Sequence, residues 1–168
     1  MVLGCSGGGK STLAAKLAAI LKLRPVHIDL IYWLPNWVER DKKTVTEMIL
    51  AEIKADGWVF DGNSRTSYEA RVAKSDMIVW VDIARWRCIY NVCYRVLKYR
   101  GKTRPDMADG CAEKVDFEFL HYIWTFKYQR GKAIAALLEK YKHEKQTIRL
   151  TNYAEINAFV EKMKQNYG

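Results

Sequence analysis

Nine residues near the amino terminus, Gly4-Cys5-Ser6-Gly7-Gly8-Gly9-Lys10-Ser11-Thr12, restrict the fold of this chain more than any other feature. They match the pattern of a glycine, four residues, and then Gly-Lys-Ser/Thr, placed between an apolar start and a helical segment. Glycines there let successive backbone N–H groups turn toward a phosphate, where side chains would block the approach. A helix opening near Lys10 points its positive dipole end the same way. The lysine then reaches the β and γ phosphates of a nucleoside triphosphate, the Ser11 hydroxyl reaches a magnesium ion bridging the same oxygens, and Thr12 supports the loop. Gly4, Cys5, Ser6, Gly7, Gly8, Gly9, Lys10, Ser11 and Thr12 are therefore the expected nucleotide-binding residues, with ATP and Mg2+ as the expected ligands. A Rossmann dinucleotide loop needs no Lys-Ser pair; Asp29 lies at a compatible distance for one, yet Lys10-Ser11 decides for a triphosphate.

The order of elements agrees with that loop. Met1 to Leu3 reads as a strand of only three residues, either a short central strand or one entered part-way. Lys10 to Leu23 reads as a helix, with Leu13, Leu17, Ile20 and Leu21 at helical spacing and alanines that predict burial on most sides. Val26 to Asp29, Trp58 to Phe60, Met77 to Val81 and Thr147 to Leu150 read as strands; Thr44 to Ala55, Arg85 to Tyr99, Asp116 to Tyr141 and Tyr153 to Met163 read as helices. The alternation predicts an α/β P-loop NTPase fold, a three-layer sandwich around a parallel five-stranded sheet. At 168 residues, with 49% hydrophobic and no repeat or linker-like tract, residues 1–168 form one expected domain.

Composition narrows the function classes. No stretch approaches the ~18 apolar residues of a membrane span, and the start lacks an export signal, so a cytoplasmic location is expected. Cys5, Cys88, Cys93 and Cys111 form no CxxC pair and read as reduced thiols. A formal net charge of +9 favours an anionic partner without naming it. From Arg85 to Arg104 there are seven basic residues and no acidic one, a run that is either a solvated face or a phosphate-facing surface.

Asp29, Asp61 and Asp82 each lie at or just past the end of an expected strand, where parallel sheets place their ligands. Phosphoryl transfer needs one carboxylate near magnesium and another that orients or deprotonates an acceptor hydroxyl; capping or turn roles compete for at least one of the three. Tyr32, Trp33 and Trp37 around Pro35 either stack on an acceptor or staple a loop to the core.

Asp61-Gly62-Asn63-Ser64-Arg65 carries the spacing Asp-Gly-x-x-Arg, and here the chain resembles adenylate kinase and its relatives. The resemblance implies a nucleoside-monophosphate-kinase-like fold with a helical lid, Asp61 near the metal together with Ser11, and Arg65 on the acceptor phosphate. The family's usual Thr-Gly-Asp acceptor signature is absent; His27-Ile28-Asp29 stands in that neighbourhood. Tyr99-Arg100-Gly101-Lys102-Thr103-Arg104-Pro105-Asp106-Met107-Ala108-Asp109-Gly110-Cys111, with Tyr32-Trp33 and Trp124, is similar to the adenylate-kinase-like DNA topology modulation (FlaR-like) proteins over nearly the whole chain. The resemblance implies an acceptor-binding insertion at about 30–57 and a lid at about 100–116. It also implies lid arginines, first Arg100 and Arg104 and then Arg95 and Arg130, and an adenine contact at Thr151-Asn152. Arginine suits a lid because its planar fork grips phosphate oxygens in pairs.

Together these readings describe a magnesium-dependent phosphotransferase. Its catalytic candidates are Lys10, Asp29, Asp61, Arg100 and Arg104; its acceptor-binding candidates are Asp29, Trp33, Asp61 and Arg65; Ser11 and Asp61 hold the metal, and Asn152 faces the base. The partners are ATP and a small-molecule phosphoryl acceptor. A nucleotide-dependent DNA-binding or topology-modulating regulator is the alternative, although no nucleic-acid-binding motif is present. A nucleotide switch with little turnover is a third reading.

Overall fold

The computed structural model describes residues 1–99, 110–112 and 114–168. In chain order the elements are β1 (Val2–Gly4), α1 (Lys10–Leu21), β2 (Arg24–His27), α2 (Ile28–Tyr32), β3 (Trp33–Leu34), β4 (Val38–Glu39), α3 (Lys42–Lys54), β5 (Trp58–Asp61) and α4 (Tyr68–Lys74). There follow β6 (Met77–Val81), α5 (Arg85–Lys98), α6 (Phe117–Phe126), a π turn at Lys127–Gly131, α7 (Lys132–Tyr141), β7 (Gln146–Leu150) and α8 (Tyr153–Tyr167).

Five strands pair in the order β2-β5-β1-β6-β7, and each pairing is parallel. β1, with only three residues, lies at the centre and pairs through Val2 with Asp61 on one side and Val79 on the other. Strands β1, β5 and β6 are continuous apolar runs because helices cover the sheet; Leu3, Phe60 and Ile78 are fully buried. The carboxyl ends of β1, β5 and β6 therefore come side by side, and the phosphate-type loop, Asp61 and Asp82 leave the sheet along one edge. That convergence is the geometric basis of the site.

Three of the expected elements differ in placement or form, each for a physical reason, and α2, β3, β4 and α4 lie outside the expectation altogether. β2 runs from Arg24 to His27 rather than from Val26 to Asp29. Pro25 is accepted inside it because β2 is an edge strand, whose missing N–H costs no ladder bond. Asp29 consequently lies in the first turn of α2, not at a strand end. Second, α1 buries Leu13, Ala14, Leu17 and Ala18 against β5 and α8, while Ala15 and Ala19 stay exposed, so the helix is covered along one stripe and not on most sides. Third, the expected helix from Asp116 to Tyr141 holds throughout but carries the five-residue π turn near its middle. Among the described residues no helix is long and apolar enough to cross a membrane.

Candidate functional site

The loop after β1 turns back on itself through Gly8 N–H, which donates to the Cys5 carbonyl at 3.2 Å, and Leu13 N–H donates to Gly9 O at 2.9 Å to start α1. Gly7 has φ 78°, and a Cβ there would lie 2.3 Å from the Cys88 carbonyl on α5, so both backbone conformation and space exclude a side chain. Asn91 on α5 braces the loop from outside. Its Nδ2 donates to Gly7 O at 2.7 Å and to the Tyr153 hydroxyl on α8 at 2.6 Å. The first turn of α1 carries no acidic residue, leaving its N–H groups and positive dipole end for an anion.

Lys10 and Asp61 are both buried, with Nζ 4.0 Å from Oδ1. Asp61 Oδ2 meets His27 Nδ1 at 3.1 Å, and His27 stands at the end of β2, two positions before Asp29. Burial pushes the Asp61 pKa up, but Lys10, His27 and the nearby Ser11 hydroxyl outweigh it, holding the carboxyl below its ordinary range. Burial likewise disfavours charge on Lys10; the carboxylates of Asp61 and Asp29 reverse this and hold its pKa above the ordinary value. Both groups are therefore ionised at neutral pH. Among the described residues, Asp61 Oδ1 is buried without a hydrogen-bond partner.

That oxygen, 4.0 Å from Lys10 Nζ and without a hydrogen bond, tests the fit of magnesium together with the nearby Ser11 hydroxyl. A buried carboxylate oxygen with an ammonium at 4.0 Å but no hydrogen bond still has room for a cation or donor in direct contact. Magnesium takes one or two protein oxygens and completes its shell with phosphates and water, so the donor set fits. Among the described residues no cluster of three or more His, Cys, Asp or Glu is arranged to hold a metal, which sets the site apart from an all-protein metal cage.

Above the loop opens a cleft of about 1560 Å³. Ser6, Gly7, Gly9, Lys10, Ser11 and Thr12 form its floor, and Asp29, Trp33 and Arg65 line the side toward α2 and α3. Gly4, Cys5, Gly8 and Asp61 are buried beneath that floor and do not line it. Lys16, Lys98, Lys114, Arg95 and Arg130 also border the cleft, so its rim is basic. The π turn presents Arg130 there, with its guanidinium 4.9 Å from the Tyr122 ring centre. Trp33 is held edge-on between Tyr32 and Trp37, at 4.9 and 5.1 Å between ring centres, so these rings pack on one another and also form a wall of the cleft. Trp37 adopts φ 62°, unusual for a bulky side chain, and is tied through its N–H to Cys111 Sγ and through Nε1 to the Ala112 carbonyl.

Two expected site residues stand elsewhere. Asp82 is paired with Arg149 and with Lys127 and ties β6 to β7 and the π turn; it neither lines the cleft nor caps α5, whose N-cap is Ala84. The Asn152 side chain caps α8 through a 2.9 Å bond from Glu155 N–H and does not line the cleft, where α8 contributes Tyr153, Ile156 and Asn157. Arg100 and Arg104 lie outside the described residues. His27, Asn63 and Asn91 were not among the expected site residues; His27, two positions before Asp29, and Asn63, within the Asp-Gly-x-x-Arg spacing, lay in segments that carried a signal, whereas Asn91 carried none.

No family model matches this chain, and no curated protein matches it. Solved structures do. A shikimate kinase from Acinetobacter baumannii, in complex with shikimate, aligns with a TM-score of 0.57 at 14% identity over 98% of this chain and 89% of that one. The chain has a P-loop, nucleoside-monophosphate-kinase-like fold. A putative kinase from Chloroflexus aurantiacus (TM-score 0.53, 11% identity, 98% and 96% covered) and a gluconokinase from Sinorhizobium meliloti (0.50, 14%, 98% and 92%) share it. At these identities the likeness concerns the fold.

Proposed function

We propose that this chain is a magnesium-dependent phosphotransferase that moves the γ-phosphoryl group of ATP to a small hydroxyl-bearing or phosphate-bearing acceptor. The observation that carries the reading is the buried Lys10–Asp61 pair under a glycine loop, with the carboxylate oxygen that faces the lysine left without a hydrogen bond. Gly4 to Thr12 bind the triphosphate, and Lys10 sets a positive charge where the β and γ phosphates lie. Ser11 and Asp61 would hold magnesium, which would offset phosphate charge. Arg65, Asp29 and Trp33 face the acceptor from the α2–α3 side. Asn152 serves as the cap that fixes the start of α8 and makes no base contact in this reading.

In the transfer step an acceptor oxygen attacks the γ-phosphorus, the bond from that phosphorus to the β–γ bridging oxygen breaks, and ADP leaves with that electron pair. Asp29 takes the acceptor's proton when the acceptor is an alcohol. Arg100 and Arg104, in a lid at about 100–116, neutralise charge on the transferred group and close out water that would otherwise accept it. Residues 30–57 form the acceptor-binding insertion of one domain, 1–168, working in the cytoplasm.

The deciding experiment measures ADP release from Mg-ATP against a panel of acceptors. Nucleoside monophosphates, nucleosides, shikimate and gluconate belong in it, since neighbours in fold carry the last two names. Turnover that rises with one of them supports the proposal; an unchanging background rate across the panel contradicts it.

A further inference from the structure

Below the loop that joins Asp61 to Arg65 lies Arg71 of α4, fully buried at 0% exposure. Its Nη1 donates to Gly62 O at 3.0 Å, Nη2 to Ser64 O at 3.2 Å and Nε to Ser67 Oγ at 3.1 Å, while Ser67 Oγ itself donates to Ser64 O at 3.0 Å. The guanidinium sits 5.8 Å from the Phe60 ring centre and 5.3 Å from that of Tyr68. Among the described residues no carboxylate pairs with it. Burial lowers its pKa to about 10, so the charge persists at neutral pH.

Asp61 favours its charge from a distance, but a buried cation with no carboxylate in contact among the described residues is an expensive way to fill space, and an aliphatic side chain would fill it more cheaply. What only a guanidinium does here is reach two carbonyls and a hydroxyl at once in fixed directions. Those carbonyls alternate with the residues that face the site. Asn63, between them, is bonded twice to the backbone at the start of the glycine loop: Gly4 N–H donates to its Oδ1 at 3.2 Å, and its Nδ2 donates to Gly4 O at 2.6 Å. Gly62, at φ 125°, has no room for a Cβ, which would fall 2.8 Å from Ile28 Cβ. The loop is thus bolted to the phosphate loop above and to Arg71 below.

We infer that Arg71 is a positioning residue: it fixes the 61–65 loop so that Arg65 stands at a set reach from Lys10 and Asp61, aligning acceptor with phosphoryl group. The inference rests on the phosphotransferase reading for its catalytic consequence and on the loop geometry alone for its structural one. Both are measured on the full chain, as wild type, Arg71→Lys and the milder Ser67→Ala. Amide hydrogen exchange is followed at 62–65 and at Val59 and Phe60 of β5, alongside ATP affinity and acceptor kinetics.

In Arg71→Lys the 62–65 amides should exchange at least about tenfold faster with β5 unchanged. Acceptor KM should rise and kcat fall, each about tenfold, because small misplacements of reacting groups cost one to two orders of magnitude. ATP affinity should stay within about twofold, because the fault lies on the acceptor side. Ser67→Ala should move the same quantities the same way by less, and it decides the matter if Arg71→Lys does not fold. Wild-type exchange in the loop, or equal losses for ATP and acceptor that merely follow thermal stability, would overturn the inference. If wild type uses no acceptor, the phosphotransferase reading fails while the exchange data still decide the role of Arg71.

Discussion

Lys10 and Asp61 each carry a charge that burial alone would remove, and each keeps it through the other. Because the Asp61 pKa is depressed, its contribution to stability is present above the ordinary carboxyl value of 3.8 and is lost as pH falls through the folded value. Because the Lys10 pKa is raised, its contribution is present below 10.5 and is lost as pH rises through the folded value. The pair should therefore add no pH dependence to the unfolding temperature between about pH 5 and 9. Asp61→Asn should show a shallower acid-side slope than wild type in thermal unfolding followed by circular dichroism, the remainder coming from carboxyls such as Asp41 and Glu155. Chemistry at the same residues gives a second expectation. Arg65→Ala should raise acceptor KM with little change in ATP affinity, whereas Lys10→Ala should abolish ATP-dependent turnover in a protein that still folds; steady-state kinetics separates the two. At this scale the glycine loop was legible because its chemistry is local in sequence. The contact of His27 with Asp61 was not, because it depends on β2 and β5 pairing in register, His27 beside Asp61.

The glycine loop is only as rigid as the helices that hold it. Gly7→Ala would drive a Cβ into the Cys88 carbonyl and force an unfavourable φ, so it should destabilise the fold by about 2 kcal/mol or more and displace the phosphate-facing amides. Asn91→Ala removes two hydrogen bonds at the outside of the loop and should cost about 1–2 kcal/mol with a measurable loss of nucleotide affinity. Denaturant unfolding and ATP titration check both. Strands β5 and β6 were readable from their apolar runs, and α3 and α8 from their periodicity. The short α2, the two-residue strands β3 and β4, and α4 escaped because so few residues carry no readable period. Pro25 read as a strand boundary, yet edge position decides whether a proline can be tolerated, and edge position is not local information.

For the molecule as a whole, the excess of 28 basic over 19 acidic residues finds an outlet in the rim of the cleft, where Lys16, Lys98, Lys114, Arg65 and Arg130 stand around the glycine loop. A DNA-directed role makes a different demand: duplex binding that weakens steeply with salt and survives Lys10→Ala. The parallel α/β class followed from the alternation of elements, and the order of strands required the pairing itself. With Asp61 and Ser11 as the proposed holders of magnesium, chelating the metal should stop phosphoryl transfer and weaken ATP binding. The most direct test is calorimetric titration of the intact protein with Mg-ATP beside Lys10→Ala. One nucleotide bound per wild-type chain, and none by a folded Lys10→Ala protein, is the predicted result; a wild-type chain that takes up no nucleotide, or a variant that binds as well as wild type, contradicts it.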